Sequence, residues 1–472
     1  MSKKVVLLTV LSLLVAALAP LAAHAQSATS QTWSTSITYY TPSDTGGTLV
    51  ISYYPEGSST SIDADPITLS PHKAGSLYIG SVPGMTSTFA GGAVLLADVP
   101  VVAAAVNIAG DAAGYPRPLY SGFDPAQASA NFLIPTVLFE AFGTNSLVSI
   151  QNVESFAIDA TLRVFEPGNP VAVFEHTYAI PAQSAQLVPA ADMGLPSGFS
   201  GSATVEGADG ARVVAAAQET DNNARSAKAF EGLAADAGSP NIFMASMMCQ
   251  AYGGQTSYYA IQNAGGADAN VEIDFYGTDG SLLDTASGIT IGIGNKVSVN
   301  PCSYIATGIA GSAVIRSTNA MPLVAMGKIA GGGLSATAFL GQSEGFTKVA
   351  APYIRWKADP TTGERSYVAV MNVGGADATD VVVNYYDNTG SLAASHTLAT
   401  GADPMPQFIK ANSNPDTAGA LDGSGNFGVD PYGGAIEVVS DQPVIVVVRV
   451  ARAVRLPGYT LLAEDYNGVS VP

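Results

Sequence analysis

The chain has 472 residues, 47% of them hydrophobic and 12% charged, with 50 glycines, 28 prolines and two cysteines. That composition excludes disorder, a coiled coil and a disulfide scaffold, and at about 150 residues per domain the length implies roughly three units. A formal charge of −19, from 38 acidic and 19 basic residues, repels nucleic acid and anionic lipid, so neither is an expected partner.

Residues 1–25 read as a secretory signal peptide. Lys3 and Lys4 precede an apolar run from Val5 to Ala19, and Ala23-His24-Ala25 supplies the small-x-small pattern of a cleavage site. The run is too short to span a bilayer, so cleavage after Ala25 is expected, with no membrane insertion afterwards. The remaining 447 residues would carry a formal charge of −21, because two lysines and no carboxylate leave with the leader.

Downstream, a period near 110 residues organises the chain. Adjacent positions ending an alternating apolar run recur at Tyr53-Tyr54, Val164-Phe165, Phe275-Tyr276 and Tyr385-Tyr386. A glycine followed by a small residue and alanine recurs at Gly91-Gly92-Ala93, Gly201-Ser202-Ala203, Gly311-Ser312-Ala313 and Gly433-Gly434-Ala435, the last copy lying 122 residues on instead of 110. Gln151-Asn152, Gln262-Asn263 and Met371-Asn372 keep the same register, as do apolar runs beginning near Val101, Val213, Leu323 and Val444. The landmarks correct three units to four, at 26–130, 131–240, 241–346 and 347–472. The extra length of the fourth falls in a Gly/Asp/Asn-rich loop at 412–431.

Within a unit the period is two: Val271, Ile273 and Phe275 alternate with Glu272, Asp274 and Tyr276, and no helical periodicity of useful length appears. Turn clusters at Gly277–Ser281 and Asp387–Ser391 join strand-like runs as hairpins. About seven short strands in 110 residues predict an all-β chain of four tandem immunoglobulin-like antiparallel β-sandwich domains. This order of landmarks resembles secreted bacterial cell-surface proteins built from tandem Ig-like repeats. The resemblance implies an extracellular module with no assigned enzymatic activity.

Few residues offer chemistry. His72, His176 and His396 do not cluster, and no Cys/His spacing suits zinc or a nucleophilic triad, so no enzyme, cofactor or catalytic residue is expected. Cys249 and Cys302 both fall in the third unit, and an intradomain disulfide is the expected pairing in an oxidising compartment; two buried thiols or a bond between subunits are the alternatives. Asp416, Asp422, Asn426 and Asp430 offer oxygen ligands to calcium in a spacing that matches neither an EF-hand nor a nonapeptide loop; they are a weak calcium candidate, and a solvated loop with no metal is the expected reading. Because neighbours on a strand face opposite ways, one ring of each aromatic pair belongs to the core. Its partner, Tyr54, Tyr276 or Tyr386, is then a candidate for stacking on sugars.

An apolar segment ending in proline leads into the later units at Phe132–Pro135 and Val349–Pro352, and the chain ends Val469-Ser470-Val471-Pro472. The corresponding site of the first unit lies inside the leader. A gap at one end and a spare strand at the other predict head-to-tail strand donation between subunits, the alternative being a monomeric string of beads. The function expected is a secreted structural or adhesive cell-surface protein whose partner is itself or other surface proteins. An extracellular polysaccharide-binding protein is the alternative.

Overall fold

The computed structural model describes residues 9–13, 33–110, 116–223, 225–359, 363–456 and 459–472; the cleavage site at Ala23–Ala25 lies outside them. Strands form where the period is two. In Ala269–Gly277 the side chains of Val271, Ile273 and Phe275 are buried while Glu272, Asp274 and Tyr276 are half-exposed. The fold is all-β, built of antiparallel sandwiches.

The second unit shows the plan. One sheet runs in the order Ala172–Ile180, Ile158–Phe165, Phe199–Gly207, Asn131–Phe139, and the other in the order Ala185–Pro189, Thr144–Asn152, Val213–Asp221, Ala227–Glu231. The third unit repeats it from its opening strand Asn241–Cys249 to its closing strand Leu334–Leu340, which makes eight strands where the sequence suggests about seven. In the fourth, one long strand, Gly434–Leu456, serves first one sheet and then the other.

The recurring glycine is explained by pairing. A Cβ on Gly91, Gly201, Gly311 or Gly434 would lie 2.0, 2.1, 1.9 or 2.0 Å from the carbonyl oxygen of Tyr54, Phe165, Tyr276 or Tyr386, so only glycine fits between the two strands. This corrects the register of the last copy. Ser312 pairs with Tyr276 and Ala435 with Tyr386, so the fourth motif is Gly434-Ala435-Ile436, one residue later than the sequence match suggests.

The next two residues of the motif face the following unit. Gln151 Nε2 donates to the Ala93 carbonyl at 3.4 Å, and Gln262 Nε2 to the Ala203 carbonyl at 3.1 Å. Two landmarks of the repeat are therefore the two halves of one junction between units. The neighbouring asparagines are local instead: the amides of Asn152, Asn263 and Asn372 each donate to carbonyls of their own unit's loops, at 2.8, 2.7 and 2.9 Å for the shortest of each.

The junctions close on themselves. The closing strands Leu119–Ser121, Ala227–Glu231, Leu334–Leu340 and Tyr459–Asn467 gather around one axis. Ser121 N donates to Glu231, Lys328 Nζ to Glu219 at 2.6 Å, Leu340 N to Asn467 Oδ1 at 2.8 Å, and Ser121 Oγ to the Asn467 carbonyl at 2.8 Å. At the last junction Tyr40 OH donates to Glu437 Oε1 at 2.7 Å and His72 stacks on Tyr386 with centroids 4.5 Å apart. Among the described residues the last part of the chain thus packs on the first, and the row of units closes into a ring instead of lying as a string of beads. Each inner sheet is covered on both faces, which is why Val213–Gln218 and Val444–Val448 are near-continuous buried runs without alternation.

The two ends differ from the expectation. The place of an opening strand in the first unit is taken by Thr9–Leu13, within the segment that the sequence reads as a leader, paired antiparallel with Gly91–Ala97. At the other end Val469–Ser470 pairs with the opening strand of its own unit, Phe346–Ile354. Val469 opposes Ala350 as Leu233 opposes Leu133 and Gln342 opposes Phe243. Val469, Ser470, Val471 and Pro472 thus correspond to the residues that follow a closing strand, and their likeness to Phe132–Pro135 is a false register between two proline-ended motifs.

Cys249, the last residue of its strand, is bonded to Cys302 in the turn Pro301–Ser303. The bond closes a 53-residue loop within one unit. Reduction should lower the stability of that unit by roughly 4 kcal/mol through the entropy regained by the unfolded chain. Urea unfolding with and without reductant measures it, and coincident curves would refute the estimate.

Candidate functional site at the ring seam

The repeated parts build the ring, and three of the parts that do not repeat meet at one place. Nine residues separate Ile354 from Glu364, against four between Phe139 and Thr144 and five between Cys249 and Gln255. Nine also separate Ala109 from Leu119 in the first unit, against two between Gly331 and Leu334. The described ends of these two connections, at Arg117 and at residues 355–357, meet the loop inserted in the fourth unit where the fourth unit meets the first. Irregularity concentrated in an otherwise repeated scaffold marks the place to look for function.

There they wall a cleft of about 250 Å³ lined by Arg117 of the first unit and, from the fourth, Tyr353, Arg355, Trp356, Lys357, Glu364, Asp430, Pro431 and Tyr432. Arg355 fixes the inserted loop, with Nη1 donating to the carbonyls of Pro431 at 2.7 Å and Tyr432 at 2.6 Å, and lies over the Tyr353 ring at 4.7 Å. Asn426 Oδ1 accepts from Ala358 N at 2.9 Å and ties the same loop to the long connection. Arg365 lies over Trp356 at 5.3 Å, and the Lys357 ammonium stands 6.0 Å from the Tyr432 ring centre. Arg117 Nη1 is ion-paired with Glu364, and its backbone N–H donates to Glu464 Oε1 at 3.0 Å.

Glu464 lies beneath this cleft. Burial pushes its carboxyl up to about 8, and the neighbouring Glu364 charge adds to the effect. Burial opposes the charge of Arg117, but Glu364, Tyr353 and Glu464 together outweigh it and hold the guanidinium above its ordinary value. A larger cavity of about 670 Å³ lies on the ring axis, lined by the segments that follow each closing strand, from Ser121, Glu231, Leu340 and Asn467 onward.

The sequence candidates fall elsewhere. Tyr53, Phe275 and Tyr385 are core, but Tyr54, Tyr276 and Tyr386 are half-buried instead of projecting as sugar platforms. Tyr276 lies 5.2 Å from Phe408 of the next unit, and Tyr386 packs on His72. Tyr276 and Tyr386 face junctions because the closed assembly covers both faces of a sheet that a lone sandwich would leave half-exposed. Of the calcium candidates, Asp422 Oδ1 accepts from Ser424 N at 2.8 Å and Asn426 N at 2.9 Å, closing its own turn, while Asp430 lines the cleft and Asp416 is exposed. Among the described residues no group of three His, Cys, Asp or Glu side chains is placed to hold a metal ion. His72, which the sequence leaves without a role, reaches Asp44 Oδ1 at 2.8 Å and joins the seam.

No protein-family model matches the chain, and no curated protein matches it. Among solved structures it is similar to a crystal structure of Thermotoga maritima 1070, at 15% identity over 22% of this chain and 94% of that one, with a TM-score of 0.20. It is also similar to a mutant form of the major pilin from Streptococcus pyogenes, at 9% identity over 68% of this chain and 98% of that one, with a TM-score of 0.15. At these scores neither likeness bears on function. No helix among the described residues is long and apolar enough to cross a membrane.

Proposed function

We propose that the chain is exported and serves at the cell surface as a rigid structural or adhesive ring without enzymatic activity. The observation that carries this reading is closure. Head-to-tail contacts between like units generate a ring when the rotation closes and a filament when it does not, and here the Tyr40–Glu437 junction closes it at four. The leader and the Cys249–Cys302 bond support export into an oxidising compartment. A ring of this kind holds its seam loops in fixed relative positions, as a binding platform needs.

Small-angle scattering of residues 26–472 tests it. A compact particle of 447 residues has a radius of gyration of about 22 Å, and four beads in line would give roughly twice that. The smaller value is expected, and the larger one would overturn the ring.

Assembly by strand donation is the second reading, favoured by Thr9–Leu13. Removal of the leader leaves Gly91–Ala97 as an unpaired edge that an apolar strand from a neighbouring subunit could complete. Val469 to Pro472 already pair within their own unit, so that segment would have to leave it to act as donor. Light scattering of the processed chain at rising concentration distinguishes the readings: a constant monomer mass supports the closed ring alone, and growth toward polymers supports donation.

A further inference from the structure

From the chemistry lining the seam cleft we infer that it binds an acidic sugar, a uronate unit of an extracellular polysaccharide. The inference rests on the ring reading, because Arg117 reaches the cleft only when the first and fourth units meet.

Three features select that ligand. The first is charge. In a chain with twice as many carboxylates as cations, Arg117, Arg355 and Lys357 line one small cleft against only Glu364, which is paired with Arg117, and Asp430, and Arg365 and Arg452 lie beside it. Among the described residues no carboxylate lies within ion-pair distance of the exposed Lys357 ammonium, which leaves it to meet an anion from solution. The second is an apolar wall. Pro431 is exposed and Tyr432 half-buried at the cleft, and the C–H face of a pyranose packs on such surfaces. The third is hydroxyl recognition. Exposed Asp430 offers a carboxylate acceptor to sugar hydroxyls, and its charge repels the more highly charged inorganic phosphate. The cleft is the size of a single sugar residue and opens to solvent at the inserted loop, so a chain could continue outward from the bound unit.

The two tryptophans provide the readout, since Trp356 lines the cleft and Trp33 is buried elsewhere in the first unit. In a Trp33→Phe background, residues 26–472 first shown compact by scattering are titrated with a uronate tetrasaccharide, a neutral glucan tetrasaccharide and inorganic phosphate. Trp356 emission and calorimetric heat are followed. The uronate should bind saturably, at least about tenfold more tightly than either control, and should weaken at high salt. Lys357→Gln and Tyr432→Ala should each lower uronate affinity about tenfold or more while the melting temperature stays put. Equal affinity for the neutral glucan or phosphate, or unchanged affinity in both variants, overturns the inference. So does the absence of any heat or emission change on a compact particle, an outcome that leaves the ring intact; an extended particle would instead refute the ring first.

Discussion

Glu219→Ala should destabilise the ring by about 5 kcal/mol, the upper end of what breaking a buried ion pair costs. Glu219 sits on Val213–Asp221 with its side chain fully buried. Lys228 Nζ lies 2.9 Å from it, Lys328 Nζ of the next unit 2.6 and 2.8 Å, and Thr136 Oγ1 donates at 3.2 Å. Burial alone would raise this carboxyl, and the two ammonium groups reverse that and hold it at about 2. Truncation would leave both ammonium groups buried without their counter-charge. The cost would fall on the junction of the second and third units, because Lys328 crosses it. Replacing all three residues by methionine removes the charges together and should be near neutral or stabilising. Urea midpoints of the two variants decide the matter. A single variant that costs less than about 1 kcal/mol would mean that the axis is open to water.

Much of this architecture is legible in the letters. Strands announce themselves by alternation, as Val271, Ile273 and Phe275 do, and the units by recurring Gly-Ser-Ala and Gln-Asn landmarks. Their meaning was not legible, because Gln262 and Ala203 lie in different units and only the packing of one unit on the next brings them to 3.1 Å. One hint was present in the non-alternating runs such as Val213–Gln218: a strand of a lone sandwich alternates, and one covered on both faces need not. The site had a weaker signal. Tyr353-Ile354-Arg355-Trp356-Lys357 interleaves cations and rings in an otherwise acidic chain, but the partners Arg117 and Tyr432 are far away in sequence and enter through loops without a pattern. The proline-ended C-terminus misled because four similar letters carry no register, whereas the pairing of Val469 with Ala350 does.

Stability should fall as pH rises from about 5 to about 8, with the loss concentrated where the first unit meets its neighbours. Burial pushes Glu464 up to about 8 and Glu231 up to about 7. Both ordinarily titrate near 4.3 once unfolded. Between those values the folded chain holds protons that the unfolded chain has released, so stability declines with rising pH and the decline is complete above the folded values. At about 1.36 kcal/mol per unit, Glu464 alone accounts for on the order of 5 kcal/mol. Buried lysines act in the opposite sense at higher pH. Burial lowers Lys328 to about 7 and Lys296 and Lys410 to about 8, so folding gains from there up to their unfolded range near 10.4. The variant Glu464→Gln isolates the carboxyl. At pH 5 glutamine imitates the protonated acid, and its oxygen can still accept from Arg117 N, so wild type and variant should match. By pH 9 the variant should be the more stable by several kcal/mol, because only the wild type must bury a charge beside Glu364. Denaturant unfolding of both proteins at intervals across that range tests this, and a difference that stays flat would show that Glu464 is ionised in the folded ring throughout.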